Sequence, residues 1–99
     1  MISRQWRGLC KPEHAQAYVE HLQGDTFPAI RKIAGFLSAS ILSRRTHEGV
    51  EFLIVTQWES IESIRGFAGA EAEAAVVPAK VHDMMVEYDH VVRHYEVVV

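Results

Sequence analysis

Six histidines are the residues most able to do acid-base or metal chemistry, and their spacing sorts them. A neutral imidazole accepts a proton near pH 7, which makes His82, soon after Pro78, a candidate general base. Arg93 and Tyr95 stand two apart in the Val- and Tyr-rich stretch from Tyr88 to Val99, so on a strand they share a face. If that face looks into a cavity, Arg93 pairs with an enolate or carboxylate and Tyr95 donates a hydrogen bond. The plainer alternative is a cross-strand pair of Arg93 with Glu51, or a contact with a second copy of the chain. His90 and His94 would share a helix face and could hold a metal ion there. On a strand they stand ~13 Å apart at ~3.3 Å per residue, too far for one ion, so no metal site is expected.

The remaining candidates carry milder expectations. His14 and His21 lie two turns, or ~10 Å, apart on one helix, flank its apolar stripe and read as surface residues. His47 reads as a solvated turn residue. Trp58, Phe67 and Tyr88 can build an aromatic wall for a flat ligand, or simply fill a core with Trp6, Met84 and Met85. Cys10 reads as a buried, inert thiol. There is no phosphate-binding glycine loop, nucleotide fingerprint or paired-carboxylate signature, so no cofactor is expected.

The elements that must position these residues are written in the apolar pattern. Residues 2–10 suit a first strand. Over 12–23, Ala15, Tyr18, Val19 and Leu22 repeat at helical spacing, with Gly24 where a C-cap belongs, and Asp25 to Ile33 opens a short second piece ended by Gly35. Residues 36–45 and 51–58 read as strands around the turn Thr46-His47-Glu48-Gly49. Ser60 is a helix N-cap ahead of Ile61, Ile64 and Phe67. The stretch Ala68 to Ala75 continues that helix or forms a mobile connection. Pro78 starts a brief helix through Val81, Met84 and Met85, and Tyr88 to Val99 is the last strand. This order is β-α-β-β-α-β, an α+β, ferredoxin-like arrangement: a four-stranded antiparallel sheet with its helices on one face, in one domain over 1–99.

Composition agrees. The 99 residues are 48% hydrophobic and 23% charged, with 13 acidic and 10 basic side chains, so the chain is an ordinary small domain without the basic field that nucleic acid or an anionic membrane attracts. No uncharged run approaches the ~20 residues needed to span a bilayer. The first residues lack an apolar signal core, and a lone cysteine suits a reducing cytoplasm. Both sheet faces look apolar, because Phe52 and Ile54 alternate with Leu53 and Val55. Two short helices cover one face only, so a homodimer packed sheet to sheet is expected.

The run from Phe52 to Phe67 (FLIVTQWESIESIRGF), followed by Val76-Val77-Pro78 and Tyr88 to Val97, resembles the antibiotic biosynthesis monooxygenase family. The resemblance implies a dimeric α+β barrel with a cavity between helices and sheet in each subunit. Members of the family use that cavity for different reactions: cofactor-independent oxygenation of phenols, quinol oxidation and haem degradation. The activity expected here is cofactor-independent oxidation of a phenol- or quinol-like aromatic, in which an anion passes an electron to dioxygen and His82 or Tyr95 with Arg93 are the polar contacts. Within the family, haem-degrading members use an Asn, a Trp and a His. Here Asn is absent, the Trp place is Phe67 and the His place is Val77. The alternatives are a non-catalytic ligand-binding or stress-related dimer and, third, a haem-binding protein.

Overall fold

In a computed structural model that describes all 99 residues, strand β1 (Ile2–Cys10) runs through the middle of a single sheet. It pairs antiparallel with β3 (Gly49–Trp58), matching Arg4 to Thr56 and Trp6 to Ile54. The period-two alternation of a strand then sends Val50, Phe52, Ile54, Thr56 and Trp58 to one face, where all are buried. Leu53 and Val55, on the opposite face, are half-buried. Strand β2 (Phe36–Thr46) lies outside β3, joined to it by the two-residue turn His47-Glu48. That turn closes because Gly49 adopts φ +149° and the Thr46 hydroxyl donates to the Gly49 carbonyl at 3.0 Å.

The helical layer begins with a 3-10 turn at Pro12–His14 and helix α1 (Ala15–His21). Gly24 does not cap it. The chain continues through a π-helical turn, Leu22–Thr26, into α2 (Phe27–Ile30). Leu22 and Phe27, both buried, explain the widening. Five positions apart in an α-helix they would point about 140° away from each other, and a wider turn brings both onto the sheet. Gly35, at φ +92°, ends the connection to β2. After β3, the Ser60 hydroxyl accepts from the Ser63 amide at 3.2 Å and opens α3 (Ile61–Ala68).

The small-residue stretch after α3 neither continues the helix nor hangs free. Gly69 turns the chain at φ +82°, Ala72 is buried, and Ala74 forms a bridge to Val91. Helix α4 (Ala79–His82) is shorter than the pattern suggests, since Met85 already belongs to β4. Of the expected last strand, Tyr88 to Val99, only β5 (Arg93–Glu96) forms inside it; β4 (Met85–Tyr88) precedes it, where the pattern suggests the end of a helix, and both pair with β1, with Val97 to Val99 beyond. The break has a cause: the Trp6 indole donates to the Asp89 carbonyl at 2.8 Å, and residues 73–75 take over the pairing, Val92 N donating to Glu73 O and Ala75 N to His90 O. The sheet thus has five strands in the order β2-β3-β1-β4, with β5 alongside β4 on β1, and the helices lie on one face. Trp58, wholly buried, anchors the core between Phe36, edge-on at 5.3 Å, and Phe67, stacked at 6.3 Å. No helix is long and apolar enough to cross a membrane.

Candidate active site

A cleft lies between the sheet and the helical layer, enclosing about 580 Å³ with its open mouth included. Its floor is Trp6 and Ile54, its roof Leu22, Phe27 and Ile30, and its far walls are Phe67 and the Val76-Val77-Pro78 segment with Val81. It continues outward into a groove that adds Asp25 and Ala29. The walls are mostly apolar, so the few polar groups that reach them decide what the cleft can do chemically.

The first of these is Arg4. The strand alternation that puts Ile2 and Trp6 on the helix side puts Arg4 there too, and only 5% of the residue stays exposed. Its guanidinium donates to the carbonyls of Ala72 and, at 2.9 Å, Ala74, and to His94 Nε2 at 3.0 Å. The Cζ atom sits 5.6 Å from the centre of the Phe67 ring. Burial pulls the Arg4 pKa down to about 10, against the opposing pull of Glu73. Burial and then the Arg4 charge push the His94 pKa down, so His94 is a neutral acceptor.

The second is His21, at the last residue of α1 and 8% exposed. This corrects the expectation of a surface histidine: one turn after Tyr18, His21 follows the wall into the cleft. Its Nε2 and the Thr26 hydroxyl are hydrogen-bonded at 3.2 Å. Nδ1 lies 3.4 Å from Asp25 Oδ2, near enough for charge pairing although it makes no aligned hydrogen bond. Asp25 is in turn held by the Lys80 ammonium at 3.1 Å, which with His21 keeps its carboxyl below the usual range. The π-helical turn is what brings His21, Asp25 and Thr26 to one point.

The residues singled out from sequence fall in different places. Phe67 lines the cleft, and Trp58 backs it without reaching the cleft itself. Tyr88 packs at 6.1 Å from Trp6 and 5.4 Å from His82. His82 is exposed, with Nε2 hydrogen-bonded to the Val77 carbonyl at 3.0 Å. Arg93 and Tyr95 pair with Gln5 and Ser3, so they stand on the sheet face away from the cleft. Arg93 meets Asp89 at 3.7 Å, whereas Glu51 is taken by Arg7 and Arg44. The structure therefore brings Phe67 to Arg4 and His21, and does not bring His82, Arg93 and Tyr95 together. Cys10 is buried, with its thiol pushed up by burial and then by Glu13. Sequence reasoning passed over Arg4 and His21, though each left a signal: a charge in the inward series Ile2, Arg4, Trp6, and a polar residue beside the Tyr18–Leu22 stripe.

Known structures share this fold. A protein of Bacillus cereus classed with antibiotic biosynthesis monooxygenases superposes with a TM-score of 0.68 at 21% identity, over 99% of this chain and 91% of that one. The haem-degrader of Mycobacterium tuberculosis, solved with two haems in its active site, gives 0.60 at 22% identity over 100% and 97% of the two chains. A monooxygenase of Streptomyces coelicolor from the gene ActVA-Orf6, in complex with nanaomycin D, gives 0.54 at 27% identity over 70% of this chain and 61% of its own. No curated protein sequence matches. The model of the family described as antibiotic biosynthesis monooxygenase matches residues 2–79, the span that builds most of the cleft, and the chain belongs to that family.

Proposed function

We propose that the chain is a cytoplasmic, cofactor-independent monooxygenase that oxidises an aromatic phenol- or quinol-like molecule with dioxygen, working as a homodimer. The observation that carries this reading is the cleft: aromatic and aliphatic walls shaped for a flat molecule, with His21 and Thr26 on the helical side and Arg4 on the sheet. Phe67, backed by Trp58, supplies the flat wall, and Tyr88 supports the Trp6 floor with His82 beside it.

In this reading the substrate hydroxyl gives its proton to the Thr26 oxygen while the Thr26 proton passes to His21 Nε2, and Asp25 faces the resulting imidazolium. The aromatic anion transfers one electron to dioxygen, the carbon radical and superoxide couple to a peroxide anion, and the His21 imidazolium returns its proton through Thr26 to give the hydroperoxide. Loss of water then leaves a carbonyl where a ring CH stood, so that phenol and dioxygen give quinone and water.

Arg93 and Tyr95 enter as residues of the dimer face. Leu42 is 50% and Tyr95 49% exposed there, beside half-buried Leu53 and Val55. On the same face the buried Gln57 Oε1 has no hydrogen-bond partner, which a second subunit can supply. Haem is a poor fit for the cleft. His21, His82 and His94 each commit Nε2 within the protein, and His94 lies against a cation.

The test is dioxygen uptake with a panel of hydroquinones and anthrones, using isotopically labelled dioxygen. Uptake with one labelled atom in the product supports the reading, and no uptake with any of them overturns it. The separation of His82, Arg93 and Tyr95 favours one other reading, a dimer that binds an aromatic ligand without turning it over. Binding without uptake would identify it.

A further inference from the structure

Arg4 takes part in none of the ion pairs of the chain. A guanidinium buried without a carboxylate is costly, and what surrounds this one repays only part of that cost. Two carbonyls and one imidazole nitrogen occupy three of its five N–H donors, leaving two donors and the whole formal charge. His94 is neutral and acts as an acceptor, so the pair presents one positive charge rather than two. The nearest acid to be felt, Glu73, is exposed and makes no hydrogen bond to it. The guanidinium lies over the Phe67 ring, and most of the wall around it is apolar. Arg4 and Phe67 both line the cleft, so an aromatic ligand packed among its apolar walls has the guanidinium within reach of a group at its edge.

We propose that Arg4 is the recognition site for a carboxylate that the ligand carries in addition to its reacting hydroxyl, so that the cleft selects flat aromatic carboxylates over neutral molecules of the same shape. The inference rests on the reading of the cleft as a small-molecule site, and specifies which class enters it. A charge-assisted contact to a guanidinium already desolvated and held by three fixed acceptors loses little to reorganisation.

The experiment is calorimetric titration of the intact chain, near neutral pH, with 2-naphthoate and with 2-naphthylmethanol, which share a ring system and differ in charge. Wild type is expected to bind the naphthoate about tenfold or more tightly than the alcohol. Arg4→Met should bring the ratio to about one while the alcohol keeps its affinity, and Arg4→Lys should fall between, since it keeps the charge and loses the fork. Lys80→Met, which removes the cation at the mouth, should leave the ratio as it is. Equal binding of the two probes by wild type, a preference that survives Arg4→Met, or one that vanishes with Lys80→Met would each overturn the inference while leaving the cleft a binding site. If Arg4→Met fails to melt cooperatively, Arg4→Lys decides, and an unchanged ratio there overturns the inference. Binding of neither probe overturns the cleft reading and the inference with it.

Discussion

Arg4 Nη1 donates to His94 Nε2 across 3.0 Å, tying an inward position of β1 to the middle of β5. The bond exists only while His94 is neutral, because a protonated ring has no lone pair to offer and adds a second charge beside the guanidinium.

This gives a pH dependence of stability. The folded pKa of His94 lies below its ordinary value of 6.5, so in the window just beneath that value the unfolded chain binds more protons than the folded one. Stability therefore falls as pH drops from there through the folded pKa, then levels off. Urea unfolding midpoints should decline between about pH 7 and 5, and His94→Gln, which keeps an acceptor and cannot titrate, should flatten the decline.

Two glycines should respond in opposite directions. Gly35 sits at φ +92° with Ser63 packed where a side chain would go, so Gly35→Ala is expected to cost more than about 2 kcal/mol. Gly24, in the π-helical turn, has nothing within 4 Å and φ outside the left-handed region, so Gly24→Ala should be neutral or stabilising by up to about 1 kcal/mol. Thermal melts of the two variants check both.

His21→Phe fills the same space without a basic nitrogen. Once a turning-over substrate is in hand, kcat should fall by about 10²- to 10⁴-fold with KM little changed. Asp25→Asn, which only faces the imidazole, should lose about tenfold and shift the pH-rate profile. A variant lacking His21 at full rate would remove it from the proton path.

The outer sheet face gives an oligomer test. Sedimentation at micromolar concentration should report a dimer for wild type and a folded monomer for Val55→Glu with Leu42→Glu, since these place charge on that face. A wild-type monomer would sink the sheet-to-sheet arrangement.

How much of this was legible depended on how local each signal was. Ser60 after Trp58, the turn before Gly49 and the Tyr18–Leu22 stripe are short-range patterns, and they specify the element order. The π-helical turn was not legible, because Gly24 reads as a stop. What overrides it is the burial of Phe27, a tertiary demand. The split of the last strand was hidden for the same reason, since it depends on Trp6 and on residues 73–75 far away in sequence. For the site, parity decided the outcome. Arg93 and Tyr95 share a face as their spacing requires, but register with Gln5 and Ser3 makes it the face away from the cleft, and puts His94 on the helix side against Arg4 instead.

The broken last strand also governs how copies of the chain can meet. An unbroken edge from Met85 to Glu96 would display a long row of free amides and carbonyls on which another chain could grow as an added strand. Here each piece spans four residues, and the gap is plugged by the backbone of residues 73–75. At the far edge, β2 carries exposed Arg44 and Arg45. The short, interrupted edge offers little template for growth into open-ended fibres, which suits the proposed pairing of two copies through the flat surface of the sheet.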